Sequence, residues 1–332
     1  MDAIWIVPVF EIIDTLMVQL DDHSHPLAQV PDCEVLTVAV VAAKDFQNHH
    51  ERALAIMHAT HSLSGSLSIS RFNRRLHALA DWLAFVSATL GEVLTQGEVF
   101  VSDSLPLPVC KRARARRCRK VRGRLSCGYC AANDETVFGW RLHLIGTPSG
   151  VPVRFTLLPG ALHDLTPLHE LTVDLPEGAR LFGDKGDTSA ADEASILAET
   201  GVRVIPVRRK NMQPHAWFVD ELEVREYRHT IETGNSQAEA MGIERLHART
   251  KAGFELKVHA SLVALQCWNA AEWPITSNHG RPNSLTVWPQ TLAQKSPERY
   301  GRCVNNQPPF RGTQWFSSMI AHPRSALRPS AG

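Results

Sequence analysis

Long hydrophobic runs are missing from this 332-residue chain. Crossing a bilayer takes about 20 consecutive apolar residues, and no stretch supplies them. The first twenty residues come nearest, yet Asp2, Glu11 and Asp14 interrupt them. They also lack the basic leader and small-residue cleavage site of a signal peptide, so a cytosolic location is expected. Net charge is scarce as well: 35 Lys and Arg against 34 Asp and Glu leave +1. Attraction to a polyanion would therefore have to be local. Sixteen histidines are scattered rather than paired at ligand spacing. Seven cysteines include one pair at knuckle spacing, Cys127-Gly-Tyr-Cys130. Cys110 and Cys118 are too far apart in sequence to complete a four-thiolate site, so structural zinc is not expected. In the cytosol these thiols would stay reduced.

What is present is strongly local. Between Lys111 and Arg124 nine of fourteen residues are basic and none is acidic; Lys111, Arg112, Arg114, Arg116, Arg117, Arg119 and Lys120 lead the run. Such a cluster suits salt-dependent contact with DNA phosphates.

Residues 1–98 read as helical and as a DNA-binding domain. Cys33–Ala43 is a buried-looking run, and Phe46–His58 continues with helix-compatible residues. Ser70 is the expected N-cap of the next helix. There Phe72, Leu76, Leu79, Leu83 and Val86 recur at spacings of three and four. Arg71, Arg74 and Arg75 crowd its first turns, as in the recognition helix of a helix-turn-helix. A solvated basic face on a bundle helix is an equal reading.

From Val99 the period changes to that of strands. Val99–Ser102, Phe138–Ile145 and Val151–Leu158 form an expected antiparallel meander, the last two joined through the turn Thr147-Pro-Ser-Gly150. Helix His163–Val173, strand Arg180–Phe182, helix Ser189–Thr200 and strand Val202–Val207 follow, implying parallel pairing beside the meander. Long helices cover Asp220–Met241 and Phe254–Ala271. This is the element order of an α/β RNase H-like fold, a five-stranded mixed sheet with flanking helices over residues 99–271. A poorly ordered tail is expected over 272–332.

Three acids stand out in that frame. Asp103 and Asp184 each follow a short apolar run, and Glu232 lies in the first long helix. Two strand-end aspartates and a helix glutamate would make an oxygen-rich cage for two Mg2+ or Mn2+ ions. Singly, each is as well read as a cap or turn residue. Asp187 competes with Asp184, and Glu221, Glu223, Glu226 and Glu239 compete with Glu232. Arg225 and Arg228, seven and four residues before Glu232, favour it, because a metal site that also grips phosphate needs nearby guanidinium groups. Leu222, Tyr227, Ile231, Ala238 and Met241 mark the buried side of that helix.

The segments Leu67–His77, Asp103–Cys110, Gly128-Tyr-Cys130, Gly139–His143, Gly183–Gly186 and Ile231-Glu-Thr233 carry a resemblance. They resemble a DDE transposase of a bacterial insertion sequence, most similar to insertion-sequence family 982. The resemblance implies Asp103, Asp184 and Glu232 as catalytic and metal-binding triad, cleavage and strand transfer on DNA, and assembly as a dimer or larger on paired element ends. It also implies a bacterial, nucleoid-associated setting. A nuclease without strand transfer and a DNA-binding protein with an idle site remain alternatives.

Overall fold

Unbroken apolar sequence becomes helix buried on every side in the first third of the chain. The computed structural model describes residues 3–118, 120–121, 123–130, 135–183, 189–207 and 218–271, all within one compact unit, Met1–Pro289. The expected tail, 272–332, lies outside the described residues. Five helices come first: α1 (Ala3–Gln19), α2 (Asp32–Phe46), α3 (His50–Ala59), α4 (Ile69–Ala78) and α5 (Ala80–Leu94). Val35–Ala43 of α2 is buried throughout. The helix includes Phe46 but stops there, and His50–Ala59 of the helix-compatible stretch forms a separate helix. Gln47 and Asn48 turn left-handed, and the Asn48 N–H returns to the Ala42 carbonyl at 2.7 Å, a C-terminal cap.

The expected stripe Phe72, Leu76, Leu83 and Val86 is buried, but across two helices that break at Leu79. The N-cap is Ser68 rather than Ser70: its extended backbone lets the hydroxyl accept from the Arg71 N–H. The connection from α3 to α4 spans residues 60–68. A helix-turn-helix joins its helices through three or four residues, so this pair is not one.

The strands are β1 (Val99–Cys110), β2 (Cys127–Cys130), β3 (Glu135–Gly146), β4 (Pro152–Pro159), β5 (Arg180–Gly183) and β6 (Arg203–Pro206). β3 pairs antiparallel with β1 on one side, and with β2 and β4 in succession on the other. β1 pairs parallel with β5, and β5 with β6. Setting β2 aside, the order β4-β3-β1-β5-β6 is RNase H-like, with the five expected strands in place. β2 was not foreseen. It is short, and Gly128 lets it press against the following turn; a Cβ there would stand 1.8 Å from the Gly160 carbonyl.

The first strand is longer than expected, running seven residues past Asp103. Pro106 and Pro108 suggest an early end but do not impose one. Two residues apart, they turn their missing N–H groups to one edge. Among the described residues that edge pairs with β5 only as far as Val101, so no ladder bond is lost.

Helices α6 (Leu168–Thr172), α7 (Ala190–Thr200), α8 (Phe218–Ala240) and α9 (Lys251–Ala271) complete the fold. α6 is shorter than the expected 163–173. α9 joins the two halves. The Gln266 amide donates to the carbonyls of Ser87 on α5 and Pro152 on β4, at 2.9 and 3.1 Å, and accepts from the Ser87 hydroxyl. Phe254 stacks on Trp140 of β3 at 4.6 Å. Gly91 allows α5 onto β4, because a Cβ there would meet the Val153 carbonyl at 2.3 Å. Among the described residues no helix is long and apolar enough to cross a membrane.

Candidate active site

Asp103 sits inside β1, opposite Leu144 of β3 and two residues past Val101, the last residue paired with β5. It is half-buried. The neighbouring Ser102 hydroxyl donates to the Phe182 carbonyl at 3.4 Å, tying β1 to the end of β5. Gly183 closes β5, and both Asp184 and its competitor Asp187 lie outside the described residues.

Among its described side chains, helix α8 meets this strand pair through Glu223, Tyr227 and Asn235. Glu223 accepts from Arg180 of β5 at 2.6 Å, Tyr227 stacks on Phe182 at 5.0 Å, and Asn235 donates its amide to Asp103 Oδ2. Val101, Phe182 and Ile205 form the small core beneath, with Val99 and Tyr227 against it. Burial and the adjacent carboxylates of Glu226 and Glu223 push the Tyr227 phenol above its usual range. Glu232 is one turn before Asn235; its side chain, like those of Arg225, Arg228, Glu221 and Ile231, is outside what is described. Of the competing glutamates, Glu223 is committed to Arg180, and Glu226 and Glu239 are exposed. The expected buried side holds at Ala238 and Met241 but fails at Leu222, which is exposed.

A further lock on Asp103 is local. The Ser104 N–H donates to Oδ1 at 2.7 Å. A cavity of about 50 Å³ adjoins, bounded by Asp103, Gly146, Gly150, Gly234, Asn235 and Leu265. Among the described residues no cluster of three or more His, Cys, Asp or Glu could hold a metal. The donors present around Asp103, carboxylate and amide oxygens, are of the hard type that suits Mg2+ or Mn2+. Asn235 had no counterpart in the sequence reading. Its place three residues after Glu232, on the same side of a helix, was the available signal.

The basic run starts only eight residues after Asp103 in sequence, but the strand between them sets it apart. It does not adjoin Asp103. It begins at the far end of β1, roughly 25 Å along the strand at the rise of an extended chain. Lys111, Arg112, Arg114, Arg116 and Arg117 are exposed on a 3-10 stretch, Arg112–Arg117, and Lys120 is half-buried. Arg119 lies outside the described residues. The 3-10 stretch is bracketed by two thiols that the sequence spacing set apart: Cys110 and Cys118 hydrogen-bond to each other. Burial raises the Cys110 thiol, helped by the charge of Cys118. Burial acts the same way on Cys118, but N–H groups of Val121 and Lys120 outweigh it and hold that thiol below its ordinary value. Cys127 and Cys130 are the two ends of strand β2 rather than a knuckle turn.

In the helical third, Arg71, Arg74 and Arg75 border a groove of about 650 Å³ with His25, Gln29 and Asp32. Arg75 is spoken for: it donates to Asp32 Oδ1 from Nε (3.1 Å) and Nη2, and to the Val30 carbonyl from Nη1 at 2.6 Å. Arg71 and Arg74 are exposed.

Residues 94–251 match the family described as "Transposase DDE domain". The matched segment begins at the end of α5 and takes in the whole sheet and α8. Over that segment the chain is similar to transposase DDE domains. No curated protein and no solved structure matches the chain.

Proposed function

We propose that the protein cleaves and joins DNA strands for an insertion sequence of family 982, with Asp103, Asp184 and Glu232 as its catalytic, metal-holding carboxylates. One observation carries the reading. Asn235 of α8 hydrogen-bonds Asp103 of β1, which brings the helix bearing Glu232 against the strand bearing Asp103. The Ser102–Phe182 bond adds the third element, because Phe182 is two residues from Asp184.

Asp103, Asp184 and Glu232 would hold two Mg2+ or Mn2+ ions. When bound, such ions neutralise charge that develops on the scissile phosphate and its attacking and leaving oxygens. The chain's own cations bind and orient. Lys111, Arg112, Arg114, Arg116, Arg117, Arg119 and Lys120 neutralise backbone phosphates well away from the cut bond, given the length of β1 beyond Asp103. Arg225 and Arg228, on the helix that carries Glu232, grip phosphate closer to it. Arg71 and Arg74 offer a second basic surface, the terminal-repeat contact of the helical residues 1–98, and Arg75 keeps its groove in shape. Synapsis of two element ends calls for a dimer or larger assembly, and the bacterial nucleoid is where it would work.

The test supplies the full chain with DNA carrying element ends, a target plasmid, and Mg2+ or Mn2+. Asp103→Ala should abolish cleavage while DNA binding persists. Wild-type cleavage without joined products would replace the transposase with a nuclease. Binding without any cleavage by the wild type would leave a DNA-binding protein with an idle site.

A further inference from the structure

We infer that Asn235 is a positioning residue for the Asp103 carboxylate and thereby helps set the metal affinity of the site, an inference that rests on the triad reading above. The geometry is specific. Asp103 Oδ1 accepts the Ser104 N–H of its own strand, and Oδ2 accepts the Asn235 amide of α8. Two donors on opposite oxygens hold the plane of the carboxylate.

The surroundings strengthen that hold. Beside the pair lies the cavity of about 50 Å³, walled by Val101, Leu144, Leu265 and glycines. It has room for about one water molecule, whose share of liquid volume is about 30 Å³. A hydrogen bond flanked by apolar walls is screened less than one in bulk water. The space over Gly234 is open, since a Cβ there would meet nothing within 4 Å. Asn235 follows Glu232 by three residues, so the bond that orients Asp103 also sets the rotation of α8 about the turn that carries Glu232. A hydrophobic residue at 235 would pack against the cavity but leave Oδ2 without this donor.

Mn2+ binding to the full chain, read from the spin-resonance signal of the free ion, tests this without any turnover. Asn235→Ala improves helix propensity, so loss through unfolding is not expected. It should bind Mn2+ about tenfold more weakly, the scale of a hydrogen bond to a charged group. Asn235→Asp sets two carboxylates against each other, and these cannot both ionise easily unless a cation neutralises them. Its Mn2+ binding should match or exceed wild type at pH 8 and fail at a higher pH than wild type as the solution is acidified. A purely structural role for Asn235 would lower the unfolding free energy of Asn235→Ala along with its Mn2+ affinity, whereas a positioning role lowers the affinity at unchanged stability. Asp103→Ala is measured alongside. If it leaves Mn2+ affinity intact, the triad reading falls and the inference with it. If Asp103→Ala loses affinity while Asn235→Ala matches wild type at every pH, the triad stands and the positioning role is overturned.

Discussion

The two long C-terminal helices, α8 and α9, make opposite use of the sheet. α9 is enclosed on nearly every side: Phe254, Leu256, Val258, Ala260, Leu262, Val263, Ala264 and Leu265 are buried, with helices of the first third over them. Its polar groups, such as Gln266, are spent on neighbouring backbone. The described side chains of α8 meet the sheet through an ion pair, a ring contact and the amide on Asp103. Volume holds α9, and polar and ring contacts stand out among the described residues of α8. A helix held by volume cannot shift without opening a core, whereas one held at points can answer a charge placed beside it. That division suits a scaffold on one side and a chemical site on the other.

The contrast predicts a graded series. The largest loss should come from α9: Phe254→Ala removes a fully buried ring stacked on Trp140 and should cost about 3–5 kcal/mol in denaturant unfolding. An effect below about 1 kcal/mol would mean that α9 is not the keystone. Next comes acid sensitivity. Burial holds the His259 imidazole of α9 down to about 4 from an ordinary 6.5. The folded chain therefore prefers neutral imidazole while the unfolded chain takes up a proton below about pH 6.5. This stability is complete above that pH and drains away as pH falls toward 4, at about 2 kcal/mol by pH 5. His259→Leu should lose correspondingly less stability between pH 7 and 5, and an unchanged slope would exonerate His259. The smallest change belongs to α8: Glu223→Gln breaks a partly exposed pair with Arg180 and should shift unfolding by no more than about 1 kcal/mol. A much larger shift would erase the distinction between the helices.

Strand and helix identity were largely legible because burial imposes its period on sequence. The alternation from Phe138 to Ile145 and the apolar run Cys33–Ala43 each forecast an element that forms. Ends were less legible, since they depend on neighbours. β1 outruns Pro106 and Pro108 because those prolines face an edge with no described partner, a fact about β5 rather than about β1. Leu222 fits a helical stripe yet is exposed. For the site, Asp103 could be picked out from its local pattern. Its amide donor could not, since Asn235 is 132 residues away in the chain.

Sequence by itself determined most of the elements and their order, though not β2 or the break between α4 and α5, since propensity and hydrophobic period act over a few residues. It also marked the carboxylates and the basic run as local anomalies. Only the tertiary structure decided their distances. It set the basic run at the far end of a long strand, away from Asp103, and brought the thiols of Cys110 and Cys118 together. It committed Arg75 to Asp32 and laid Asn235 against Asp103. Each of these depends on packing between segments remote in the chain, where contact is set by how whole elements fill space and not by the residues beside them.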